Sequence, residues 1–130
     1  MPKDTLREAH AVACRSEYDF YNKQEWRAKG LAVLRKLAKD LGLARGTYDI
    51  RFNAGGIAVS GDAILHSEHL YVSLSGFGHE SAGYARKVKG RKDYVGERNV
   101  PIAPRYDDLL RVARALLDPS TPATARITVL

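Results

Sequence analysis

Six basic side chains, Arg86, Lys87, Lys89, Arg91, Lys92 and Arg98, fall within thirteen residues, with Tyr84 just before the run and Tyr94 inside it. Clustered cations attract phosphate backbones, because neutralising phosphates releases condensed counterions. Arginine and tyrosine also stack on unpaired bases. A turn at Gly90 would make the run a hairpin whose side chains project from one end of a sheet. This chemistry selects nucleic acid, or a nucleic-acid–protein complex, as partner. An acidic protein surface is the other candidate, and a solvated hairpin tip is the plain reading. Lys36 and Lys39, on one helix with Lys29, extend the patch if that helix lies beside the hairpin. Phe77, in the glycine-rich stretch 75–83, is expected at a loop tip as an apolar anchor for a partner.

The histidines offer a second chemistry. His66 and His69 flank Ser67-Glu68, Asp62 precedes them, and His79-Glu80 follows. Two histidines and a carboxylate are ligand types that hold zinc. A small metal-dependent nuclease using His66, Glu68, His69 and His79 is therefore the enzymatic alternative. The pair falls at a strand–turn–strand, however, and no His-Glu-x-x-His, cysteine pair or Asp-x-Asp spacing accompanies it. Ordinary surface histidines without metal are the expectation. The loop 76–83 lacks the Gly-Lys-[Ser/Thr] ending of a nucleotide-binding loop, and no cofactor is expected. Gly-x-Ser-x-Gly is absent. Arg51, Asp62 and Tyr71 alternate onto one sheet face but suggest no mechanism. Binding rather than catalysis is the expectation.

Charge partition sharpens this. The 130 residues carry a net charge of +6. Residues 1–46 hold +4, 47–81 hold −3, 82–105 hold +5 and 106–130 are neutral. The surplus thus lies in one helix and one hairpin, while the middle is apolar and slightly acidic. Hydrophobic residues at 45% exclude a disordered chain and suit a single domain spanning 1–130. No apolar run approaches the roughly 18 residues of a membrane helix. One cysteine, Cys14, excludes an intramolecular disulfide and reads as a small buried hydrophobe. The charged N-terminus shows no signal core, so a cytoplasmic location is expected, in the bacterial host if the chain comes from a phage.

The elements that must position these residues follow from periodicity. Thr5-Leu-Arg-Glu8 has capping-box spacing, predicting a helix over 5–21. Trp26, Gly30, Val33, Leu34, Leu37 and Leu41 recur at helical steps, predicting a second helix over 23–41 with a left-handed cap at Gly42 and Leu43 closing over it. The period then becomes two. Tyr48, Ile50 and Phe52 mark one strand. Ile57 to Leu65 mark a second, bent at Gly61. Ser67-Glu68 turns the chain into a third carrying Leu70, Val72 and Leu74. Tyr84, Arg86 and Val88 mark a fourth. Gly96, Pro101 and Pro104 make the following stretch irregular. Asp107-Asp108 suit the start of a last helix that ends at Asp118-Pro119. The expected fold is α+β: two N-terminal helices, a four-stranded antiparallel meander and a C-terminal helix. The tail 119–130 reads as flexible or as an edge strand at 126–130. Such a strand would pair between chains as readily as within one, so a dimer is open.

The run Tyr48-Asp-Ile-Arg-Phe-Asn-Ala-Gly-Gly-Ile-Ala-Val-Ser-Gly-Asp62, with Leu65-His66 and Lys89-Gly-Arg-Lys-Asp-Tyr94, resembles segments of small uncharacterised proteins of bacteriophages and other mobile elements. The resemblance spans about residues 47–100 and carries over no functional residue. It implies an accessory role in a prokaryotic or viral setting. Nucleic-acid binding fits that setting. So does inhibition of a host defence complex, in the manner of an anti-CRISPR protein.

Overall fold

A computed structural model describes residues 4–13, 20–53, 61–75 and 81–118. Helices α1 (Thr5–Ala13) and α2 (Phe20–Asp40) precede strands β1 (Tyr48–Asn53), β2 (Asp62–Ser67), β3 (Leu70–Leu74), β4 (Gly83–Lys87) and β5 (Val100–Ile102), and helix α3 (Tyr106–Leu117) follows. The strands form one antiparallel meander in sequence order. The class is α+β, with three helices and five strands among the described residues.

The helices form where the apolar stripes predict. Trp26, Val33, Leu34 and Leu37 of α2 are buried. Gly42 takes φ +67°, a left-handed conformation that costs glycine little. Its N–H donates to Lys39 O, and the Leu43 N–H donates to Ala38 O, both at 3.0 Å. This paired pattern is the Schellman ending. Phe20 and Tyr21, expected at the end of the first helix, belong to α2. The cap of α1 also differs. Asp4 Oδ1, not Thr5, accepts from a first-turn amide, Arg7 N, at 3.0 Å, and the Thr5 hydroxyl is buried without a partner. Asp4 displaces Thr5 because its carboxylate also accepts from Tyr106 N at 3.0 Å, so one side chain caps the starts of α1 and α3.

All three helices lie against one face of the sheet or against each other. Helix α2 packs on β1 and β2, α3 packs on β3, β4 and β5, and α1 packs on α2 and α3. Ala63, Leu65, Leu70, Val72, Leu74, Ala85 and Ile102 meet the helices in the main core. The indole of Trp26 donates to Gly61 O at 3.1 Å, which ties α2 to the start of β2. Ser67 Oγ accepts from Leu70 N at 3.0 Å, closing the tight turn expected at Ser67-Glu68.

Pro101 hides the fifth strand in the sequence. Pro101 lacks an N–H, which an edge strand tolerates, and β5 pairs with β4 through Gly83↔Ile102, Tyr84↔Pro101 and Ala85↔Val100. Gly83 is required where β4 begins: at φ +141°, an added Cβ would stand 1.9 Å from Ser73 O of β3.

The sheet face away from the helices is covered as well. Alternation and register place Asp49, Arg51, Ile64, His66, Tyr71, Ser73, Tyr84 and Arg86 there. Every residue of β3 is nonetheless buried. The cover is the connection 88–99, which folds back over this face instead of projecting from the sheet end. Val88 packs on Ile64, Tyr71 and Tyr84 as a small second core. The first half of the expected second strand, Cys14, Phe77, His79 and the tail 119–130 lie outside the described residues. No helix among the described residues is long and apolar enough to cross a membrane.

Candidate partner-binding loop on the second sheet face

The connection between β4 and β5 is held by three anchors. The first is Asp93. Its Oδ2 accepts from Lys89 N at 3.0 Å, and its Oδ1 accepts from Gly96 N at 2.8 Å and Val95 N at 3.2 Å. Aspartate suits this role because its short carboxylate reaches nearby backbone amides in turns. These amides, Gly96 and Lys89 foremost, hold its carboxyl below the usual carboxylate range. A turn at Gly90–Asp93 is closed by Asp93 N donating to Gly90 O at 3.1 Å.

The second anchor is Arg86. Its guanidinium lies 4.2 Å from the Tyr71 ring centroid and 5.7 Å from that of Tyr84. The same group donates to Tyr94 O at 2.9 Å and to Asn99 Oδ1 at 3.3 Å, spanning both limbs of the loop. The third anchor is Arg91. It donates to Gly46 O at 2.9 Å and pairs with the Asp49 carboxylate of β1. That hydrogen bond lowers the Asp49 pKa and raises the Arg91 pKa.

His66 lies beneath. It is fully buried, which corrects its expected place at the surface. Its Nε2 stands 3.1 Å from Gly90 O, an oxygen that can only accept, so this nitrogen carries the proton. Its Nδ1 is buried with no hydrogen-bond partner. The ring meets Tyr71 and Tyr94 edge-on, with centroids 5.1 and 5.6 Å apart.

The expected basic patch therefore divides. Arg86 and Arg91 are fasteners. Lys87 occupies the helix-side register beside Leu70, and its Nζ reaches Asp118 O at 3.4 Å. Lys36 pairs with Asp40 at 3.1 Å and lies 4.4 Å from the Tyr106 ring. Lys39 is exposed on the same helix. Since α2 covers the opposite sheet face, neither Lys36 nor Lys39 extends the loop's patch, contrary to expectation. Lys89, Lys92 and Arg98 are exposed and make no side-chain hydrogen bond among the described residues. Beside them Tyr94 is 64% exposed and Val95 82%. These five residues form the outward surface. Sequence reasoning missed Val95 and Asp93. The Asp-x-x-Gly spacing at Asp93–Gly96 was the available signal for the latter, because it marks a side-chain-closed turn.

Among the described residues, which do not include His79, the histidine cluster does not assemble. His66 is bonded to the loop, His69 is exposed at the turn, and no group of three His, Cys, Asp or Glu among the described residues could hold a metal. Arg51, Asp62 and Tyr71 do share the second face, as alternation predicted. Burial pushes up the Asp62 carboxyl, and burial followed by nearby Tyr84 pushes up the Tyr71 hydroxyl. No hydrogen bond joins the three. Comparison with family models, curated proteins and solved structures finds no match to this chain.

Proposed function

We propose that the protein acts by non-covalent binding, not catalysis, and that its partner is nucleic acid or a nucleic-acid–protein complex engaged through residues 88–99. One observation carries this reading: Tyr94 is 64% exposed on a loop pinned at Asp93, Arg86 and Arg91, with Lys89, Lys92 and Arg98 free around it. Exposed aromatic rings flanked by cations bind unpaired bases by stacking and phosphates by charge. A pre-formed loop loses little entropy on binding. An accessory role in the cytoplasm of a bacterial host fits the phage-like segments of the sequence.

A second reading rests on Val95, which is 82% exposed beside Tyr94. An apolar side chain presented this openly suits a protein surface, as in an inhibitor that occupies a host defence complex. Labelled single-stranded oligonucleotide titrated with protein separates the two. Saturable binding that weakens with salt supports the first. No nucleic-acid binding, with nuclease-resistant capture of one complex that Val95→Asp abolishes, supports the second.

A further inference from the structure

We propose that two copies of this chain associate through antiparallel pairing of strand β1 with its symmetry mate, joining their sheets into one continuous sheet. The two sheet edges are treated differently. At one edge β5 has only three residues and carries Pro101, two devices that blunt an edge. At the other, β1 has six residues, Tyr48–Asn53, with neither proline nor glycine. Among the described residues it pairs only with β2. An open, regular edge of this length is a template for another strand.

The side chains specify the occupant. Tyr48-Asp49-Ile50-Arg51-Phe52 reads as aromatic, acid, aliphatic, base, aromatic, a pattern complementary to its own reversal. With Ile50 on a two-fold axis, Asp49 faces the second copy's Arg51, Arg51 faces its Asp49, and Tyr48 faces its Phe52. Each is a favourable cross-strand pair. Sliding by two residues sets Arg51 against Arg51 or Asp49 against Asp49. Sliding by one turns each helix-side face to the wrong side. A slide by four leaves at most three of the six β1 residues paired, so the register centred on Ile50 is the one that uses nearly the whole strand. Arg51 is exposed and makes no hydrogen bond or ion pair among the described residues. Asp49 already pairs with Arg91, but a carboxylate accepts more than one donor.

The two-fold axis of such a pairing is perpendicular to the sheet, so both helix layers lie on one side and both 88–99 loops on the other. Arg91, reaching Gly46 and Asp49, brings each loop towards the axis. The assembly presents two copies of the loop on one surface. The pairing does not depend on what those loops bind.

Sedimentation velocity on the full chain, under reducing conditions, tests this with two charge reversals. Wild type is expected at twice the chain mass. Arg51→Glu sets Glu against Asp49, and Asp49→Lys sets Lys against Arg51, so each alone is expected to weaken self-association by about tenfold or more. Mixed together, they restore both opposite-charge pairs, and the heterodimer is expected to return. Far-ultraviolet circular dichroism confirms that each variant is folded. Arg51→Glu, which removes no hydrogen bond or ion pair among the described residues, decides alone if Asp49→Lys is unfolded. A monomeric wild type, an Arg51→Glu variant that dimerises unchanged, or a mixture of folded variants that stays monomeric overturns the proposal.

Discussion

The guanidinium of Arg86 lies 4.2 Å from the ring centroid of Tyr71, so a residue from the most basic part of the chain is a structural fastener. It joins β4 to both limbs of the loop, through Tyr94 O and Asn99 Oδ1. Lysine keeps the charge but lacks the planar fork. Arg86→Lys is expected to destabilise the fold by about 1–2 kcal/mol, from lost stacking and hydrogen bonding. Lys92→Ala, at an exposed position, should stay within about 0.5 kcal/mol of wild type. Urea unfolding of both variants checks this. Equal stability of the two would show that Arg86 does not fasten the loop.

Loop order should depend on acid in a definite direction. Asp93 has its folded pKa depressed by amides of Gly96, Lys89 and Val95. A depressed carboxylate contributes stability above its unfolded pKa, and loses it as pH falls through the folded value. The loop is therefore expected to hold at neutral pH and to loosen only below the usual carboxylate range. Amide resonances of Val95 and Gly96 should move towards random-coil positions there, and Asp93→Asn should show weakened dispersion already at neutral pH. Unchanged resonances in both experiments would remove Asp93 from its place as anchor.

Asp4 joins elements far apart in sequence, since its carboxylate accepts from Arg7 N and Tyr106 N. Losing one helix cap costs about 1 kcal/mol. Asp4→Ala removes two and is expected to cost about 2 kcal/mol, whereas Thr5→Ala should cost far less. Thermal unfolding of the pair distinguishes Asp4 from Thr5 as the cap.

Much of this architecture is legible in the residues themselves. Helical spacing locates α2, Gly42 its end, alternation at Tyr48–Phe52 the first strand, and Asp107-Asp108 the start of α3. What local rules cannot reach is contact between distant segments. The Asp4 cap depends on Tyr106, 102 positions away. The burial of His66 depends on Gly90 and Tyr94 folding over it. The same limit governs the candidate site. The cluster of cations was visible, but which ones are free was not, because Arg86 and Arg91 find their partners on β3 and β1. Pro101 concealed β5, as prolines argue against a strand unless it lies at an edge.

The most direct test of the binding surface is fluorescence anisotropy of a labelled single-stranded oligonucleotide, with wild type, Tyr94→Ala and a Lys89→Ala/Lys92→Ala/Arg98→Ala variant, across rising salt. Wild type is expected to bind, with log K falling against log salt at a slope of about −2, as three cations on a single strand imply. Tyr94→Ala should weaken binding by about 1–3 kcal/mol while leaving that slope intact. The triple variant should flatten the slope. Absence of binding by wild type at about 50 mM salt, or binding that both variants retain unchanged, would contradict a nucleic-acid role for the loop.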